Sequence, residues 1–252
     1  MDLHPGEIHL YFVNPEKILN VNLLTQYKSL LSTKELKQMS RFHFERHRHQ
    51  YLVTRALIRN CLSNYHEVAP AEWCFDENAY GKPSLATIHG DLPIRFNISH
   101  TDGLVMCGFV CDTEIGVDVE NIERIAKSDI DSLSEYFSPL EVTELKRLPK
   151  QQQKDRFFDY WTLKESYIKA RGMGLSLPLS QFSFVFKGNQ LRDFIVAPEL
   201  DDNATNWRFW RLAMHAGYRV AVALKSENKE FKFCAYDTVP LESNDVFTLS
   251  FL

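Results

Sequence analysis

Twice along this chain helical periodicity gives way to strand alternation, and that ordering constrains the fold more than any single motif. Residues 8–13 read as a strand. Helical spacing follows over 18–31, and Ser32-Thr33-Lys34-Glu35 has the Ser-x-x-Glu form of a capping box opening a second helix. Tyr51, Leu52, Arg55, Ala56, Ile58 and Leu62 recur at helical spacing and predict a third helix over 45–62. Turn chemistry at Tyr80-Gly81-Lys82-Pro83 precedes strands expected at 94–98 and 104–111, joined by Thr101-Asp102-Gly103. The pattern then recurs: a strand at 115–120, helices near 129–137 and 138–148, and a mobile polar loop at 150–155. A strong helix over 156–171 stops at Gly172, and β-rich sequence follows. Helices followed by strands, twice over, imply an α+β fold in two comparable halves, taken as 1–111 and 112–252.

Composition narrows the function classes. At 252 residues, 44% apolar and 25% charged, the chain reads as an ordinary globular protein with a sizeable core. Its net charge of -4 gives no bias toward nucleic acid, and its apolar runs are too short to span a membrane. The start, Met1 to Val13, lacks the basic and apolar regions of a signal peptide. Cys61, Cys74, Cys107, Cys111 and Cys234 are odd in number without a CxxC pair, which predicts reduced thiols and a cytoplasmic protein. Charge is nevertheless uneven. Lys34, Lys37, Arg41, Arg46, Arg48, Arg55 and Arg59 crowd one window against Glu35 and Glu45, with His43, His47 and His49 among them. A solvated helix face and a docking site for phosphates or an acidic partner fit that window equally.

The strand Ile115-Gly116-Val117-Asp118-Val119-Glu120 places two carboxylates on one face, with Gly116 beside them. Their Cα atoms stand roughly 6–7 Å apart, which suits two oxygens converging on a hard dication such as Mg²⁺ or Mn²⁺. A strand with one solvated acidic face is the plain alternative. On the helix over 156–171, Phe157, Tyr160, Trp161, Leu163, Tyr167 and Ile168 form an apolar arc; Glu165 lies at its edge and Lys169 one turn on. Glu165 and Lys169 read either as an exposed helix pair or as site groups. Lys164 falls in the middle of the arc, where a lysine needs a partner or must snorkel to solvent. Ser99 and His100 end a strand before a turn, a place where polar groups meet ligands or serve the local structure. Phosphate-binding GxxxxGK[ST], GxGxxG and the GxSxG elbow are absent.

Taken in order, Tyr80-Gly81-Lys82-Pro83, Phe96-Asn97-Ile98-Ser99-His100, the 115–120 strand and Trp161-x-x-Lys164-Glu165-Ser166-x-x-Lys169 resemble the large, Sfp-type 4′-phosphopantetheinyl transferases. These motifs span about residues 80–180, and the likeness continues more loosely on either side. The resemblance implies two similar α+β halves related by a pseudo-two-fold axis, with coenzyme A in the cleft between them. It implies transfer of the phosphopantetheine arm to a serine of an apo acyl or peptidyl carrier protein, with Mg²⁺ and release of adenosine 3′,5′-bisphosphate. Matched position by position, Asp118, Glu120 and Glu165 become the metal ligands and Glu165 also the base. Lys169 and His100 contact the phosphates, while Gly81, Lys82, Pro83 and Ser99 border the coenzyme. Lys164 joins them as a candidate from its place on the wheel. His47 and Gln50 depart from the family's usual Asp and Arg, so Arg48 or Arg46 is the candidate for the 3′-phosphate. An acidic carrier would dock near residues 34–48 and 172–179, and one chain supplying the whole cleft predicts a monomer. A metal-dependent nuclease or phosphodiesterase is the competing class, opposed by the acidic net charge and the lack of an extended basic stripe. The third class, a non-catalytic carrier-binding relative, is opposed by the intact acids and Lys169.

Overall fold

The structure, a computed structural model, describes every residue except 124–126, 215–216 and 229; the side chains of 127–129 and 175 are also outside it. The last of these falls in the expected docking loop at 172–179. In chain order come β1 (Glu7–Val13), α1 (Val21–Leu30), α2 (Thr33–Arg41) and α3 (Glu45–Tyr65). Then follow β2 (Phe75–Glu77), β3 (Pro83–Leu85), β4 (Ile94–Thr101), β5 (Leu104–Cys111) and β6 (Ile115–Asn121). Three helices succeed them: α4 (Lys127–Ser134), α5 (Pro139–Arg147) and α6 (Lys150–Arg171). The remaining strands are β7 (Phe182–Lys187), β8 (Gln190–Val196), β9 (Trp207–Ala213) and β10 (Tyr218–Lys225), then β11 (Lys232–Val239), β12 (Ser243–Phe247) and β13 (Ser250–Phe251). The chain is α+β.

It divides into two compact units. The first comprises Met1–Glu77, Pro83–Asp112 and Phe231–Thr248; the second comprises Asn78–Lys82, Thr113–Glu230 and Leu249–Leu252. Residues 231–248, expected in the C-terminal half, therefore lie with the first unit. The cause is strand pairing: β11 runs parallel to β1 and inserts between it and β12.

In the first unit the sheet order is β12-β11-β1-β5-β4. Every β1 residue after Glu7 is buried, as a central strand requires. Leu52, Val53, Ala56, Leu57 and Cys61 of α3 share one buried core with Tyr11 and Phe109. The Ser32–Glu35 capping box forms in full at the start of α2. Glu35 is also the buried counterion of Arg59, 2.6 Å away, and of Arg55.

In the second unit α6 lies over β6 and β10 of a sheet ordered β13-β9-β10-β6. Phe157, Tyr160, Tyr167, Phe182, Phe184 and Trp207 belong to its aromatic core. Residues 150–155 are not a loop but the first turns of α6. Lysine and glutamine are good helix formers, and exposure at the helix start removes any need for an apolar period. Gly172 ends α6 in the left-handed region at φ 65°, donating its N–H to the Ile168 and Lys169 carbonyls. Among the described residues no helix is long and apolar enough to cross a membrane.

Candidate active site

A glycine sets the spacing of the site. A Cβ built on Gly116 would fall 1.9 Å from the Ser166 carbonyl oxygen and 2.4 Å from the Ala170 nitrogen. Only a bare Cα lets α6 pack so closely on β6. Gly116, Asp118 and Glu120 alternate onto one face of β6, so the face that meets α6 also carries both acids. Directly across the ladder, Ala223 opposes Gly116 and Ala221 opposes Asp118, keeping the platform low. Glu165 and Lys169 stand on α6 either side of Ser166, the residue whose carbonyl a Cβ at 116 would strike.

The charges of these groups are coupled. Lys169 Nζ donates to Asp118 Oδ1 at 2.6 Å, and Asp118 is buried. Trp161 Nε1 donates to Glu120 Oε1 at 3.1 Å. Burial, then the charge of Asp118, push the Glu120 carboxyl up to about 7, while Trp161 and Lys169 pull it back. Burial and Asp118 likewise push Glu165 up to about 7, against the pull of Lys169. Three carboxylates thus interact across a partly desolvated space with one ammonium, which offsets only part of their mutual repulsion. Oxygen-only donors in that state fit a hard dication. Sequence reading placed Trp161 only in the apolar arc and missed its hydrogen bond to Glu120. Gly116 was seen as a neighbour of the acids, but a glycine inside a strand also signals a close backbone approach.

A family model described as the 4′-phosphopantetheinyl transferase superfamily matches residues 114–223, the span that holds this cluster. The model of the 4′-phosphopantetheinyl transferase N-terminal region matches residues 21–109. The 4′-phosphopantetheinyl transferase HetI of Nostoc sp. is 34% identical over 180 residues, covering 70% of this chain and 73% of the relative. The chain belongs to the 4′-phosphopantetheinyl transferase family. It is an enzyme of that class and of the Sfp type: 4′-phosphopantetheinyl transferase Sfp of Bacillus subtilis is 30% identical over 84% of this chain and 90% of its own length. A holo-(acyl-carrier-protein) synthase from Bacillus anthracis, solved in complex with CoA, overlaps 46% of this chain and 96% of its own at TM-score 0.37 and 18% identity.

The remaining candidates of this transferase fall in several places. Lys164 is engaged in the core. Its ammonium lies 2.7 Å from Glu141 Oε2 and donates to the Leu179 and Phe182 carbonyls, with both side chains wholly buried. The partner that a lysine on the apolar arc demands is supplied by α5, so no snorkelling occurs. Lys82 donates to Glu114 and, at 2.8 Å, to the Ala170 carbonyl near the end of α6. Gly81 takes a positive φ of 83° in the turn that Asn78 closes by accepting from the Tyr80 and Lys82 N–H groups. Asn78 Nδ2 donates to the Gly172 carbonyl, fastening that turn to the end of α6. Pro83 opens β3 in the first unit.

Ser99 and His100 also belong to the first unit, where Ser99 is buried and His100 exposed. His100 lines a cavity of about 720 Å³ together with His47, Gln50, Tyr51, Arg55 and Thr101. The two positions that depart from the family pattern, His47 and Gln50, thus share a cavity wall with His100. Gln50 Nε2 donates to the Thr101 carbonyl at 2.7 Å. Arg48 is instead engaged by Glu45 at 2.6 Å and by the Phe42 and His43 carbonyls, a local clasp at the start of α3. Lys34, Lys37, Arg41, Arg55 and Arg59 of the basic window line a separate cavity of about 660 Å³, with Glu35 and Glu77 among them.

Proposed function

We propose that this transferase moves the 4′-phosphopantetheine arm of coenzyme A to a serine hydroxyl of an apo acyl or peptidyl carrier protein, with Mg²⁺, releasing adenosine 3′,5′-bisphosphate. A bond forms from the serine oxygen to the β-phosphorus, and the phosphoanhydride bond to the leaving bisphosphate breaks. The observation that carries the reading is the electrostatic coupling of Asp118, Glu120, Glu165 and Lys169 inside the span that matches the family.

Asp118, Glu120 and Glu165 are the residues to hold the dication. Bound there, Mg²⁺ supplies Lewis-acid polarisation of the pyrophosphate oxygens, and Mn²⁺ accepts the same oxygen donors. Glu165 takes the proton of the carrier serine as the nearby carboxylate base. Lys169 neutralises a pyrophosphate oxygen while keeping the Asp118 carboxylate oriented. His100 hydrogen-bonds phosphate from its cavity wall, with Ser99, Gly81, Lys82 and Pro83 as bordering groups. The reading includes a monomer acting in the cytoplasm on an acidic carrier.

A panel of apo carrier domains incubated with coenzyme A and Mg²⁺, followed by intact mass spectrometry, tests it. The expected result is a mass gain equal to the arm with wild-type protein, lost with folded Asp118→Asn and Glu165→Gln. Normal labelling by both variants would falsify the assignment.

A further inference from the structure

The parallel register of β1 and β11 sets His9 opposite Cys234 and Glu7 opposite Lys232. Ligand-capable atoms of Glu7, His9 and Cys234 all lie within 4.8 Å of one another. His9 is only 2% exposed, and its Nε2 is buried without a hydrogen-bond partner, 3.4 Å from Glu7 Oε2. An orphaned nitrogen in a core is costly unless something takes its lone pair.

The other nitrogen of His9 is tied to a pair of hydroxyls. The Tyr11 hydroxyl can donate to Met1 Sδ at 3.3 Å. It also shares a hydrogen bond of 2.8 Å with the Tyr65 hydroxyl, in which either can donate. The Tyr65 hydroxyl in turn lies 2.8 Å from His9 Nδ1. In the tautomer with its proton on Nδ1, His9 presents a bare Nε2 to Glu7 and Cys234.

We propose that Glu7, His9 and Cys234 form a Zn²⁺ site that ties β11 to β1 in the first unit. A thiolate, an imidazole nitrogen and a carboxylate oxygen match the donors of a borderline-soft dication, with a fourth position left for water. Mg²⁺ disfavours sulfur and nitrogen, so this site selects a different ion from the carboxylate cluster. Tyr65 is the outer hydrogen bond that holds the ring. Lys232 Nζ, 2.8 Å from Glu7 Oε1, fixes that oxygen and leaves Oε2 turned to the imidazole. Cys234 releases its thiol proton to solvent as the metal–sulfur bond forms. The site is independent of the transferase mechanism.

The test uses the full chain, stripped by chelator and titrated with Co²⁺ and then Zn²⁺ in excess Mg²⁺, which keeps hard-cation sites filled. The expected result is a thiolate-to-cobalt charge-transfer band that saturates at one metal per chain and is abolished by Zn²⁺. Folded Cys234→Ser loses the band, and its Zn²⁺ affinity falls at least about tenfold. Glu7→Gln keeps the band but also weakens Zn²⁺ at least about tenfold, and it carries the test should Cys234→Ser fail to fold. No band in the wild type, a band that persists in Cys234→Ser, or unchanged Zn²⁺ affinity in Glu7→Gln would overturn the proposal.

Discussion

Lys169 Nζ stands 2.6 Å from Asp118 Oδ1, so an ammonium on α6 compensates a buried carboxylate on β6. Replacing it by Lys169→Met removes positive charge from a cluster of three acids. We expect the metal-free protein to lose about 1.5–3 kcal/mol, the range for a hydrogen bond to a charged group. Mg²⁺ should then raise the melting temperature more in the variant than in the wild type. Paired melts with and without Mg²⁺ check this, and equal gains would refute it.

The same cluster sets a pH dependence. Glu120 and Glu165 are pushed up to about 7 from an ordinary 4.5, first by burial and then by Asp118. Between those values the metal-free fold binds more protons than the unfolded chain. Stability is therefore full below the unfolded value and declines as pH rises through about 7. Melts in chelator should show this decline, and Mg²⁺ should stabilise the protein more at about pH 8 than at about pH 5. A Mg²⁺ gain that ignores pH would count against the coupling.

Gly116→Ala tests the close approach of α6. Its methyl group would overlap the Ser166 carbonyl and the Ala170 nitrogen, which are backbone atoms that no rotamer change can move. The expected cost is about 3 kcal/mol or more, at or above the usual range for overpacking. Transfer per folded molecule should fall as well, because Glu165 and Lys169 ride on the displaced helix. Urea unfolding with turnover normalised to folded protein separates the two effects.

Lys164→Met addresses the buried pair with Glu141. Glu141 also accepts from Ser138 and from the Phe184 N–H, so its charge stays buried when the ammonium goes. Breaking such a pair costs about 3–5 kcal/mol. Because this lysine belongs to the core, KM for coenzyme A should stay unchanged at a temperature where the variant is folded. A large rise in KM without loss of stability would return Lys164 to the coenzyme site.

How much of this could be read in the sequence depended on whether the cause was local. Ser32 announced its helix because a capping box lies within four residues. Gly172 announced the end of α6 for the same reason. Strand and helix periodicities could put Asp118 with Glu120, and Glu165 with Lys169, each on one face, but only the family resemblance joined the two pairs. Residues 150–155 misled, since a solvated helix start has no apolar rhythm to betray it. Lys164 demanded a partner, but that partner comes from α5 and nothing near it in sequence names it. Glu7, His9 and Cys234 are ordinary residues until β1 and β11 are laid side by side.

That parallel pairing also bears on how the molecule is made. β1 is synthesised well before its neighbour β11, which emerges only after all of 113–230. The intervening segment can mature as a nearly contiguous piece, whereas the first sheet must wait with one flank of its central strand bare. Long-range contacts of this kind slow folding and leave an edge open to misassociation. A ribosome-bound chain lacking 231–248 should therefore need chaperone protection for its N-terminal portion rather than for the portion bearing the acids.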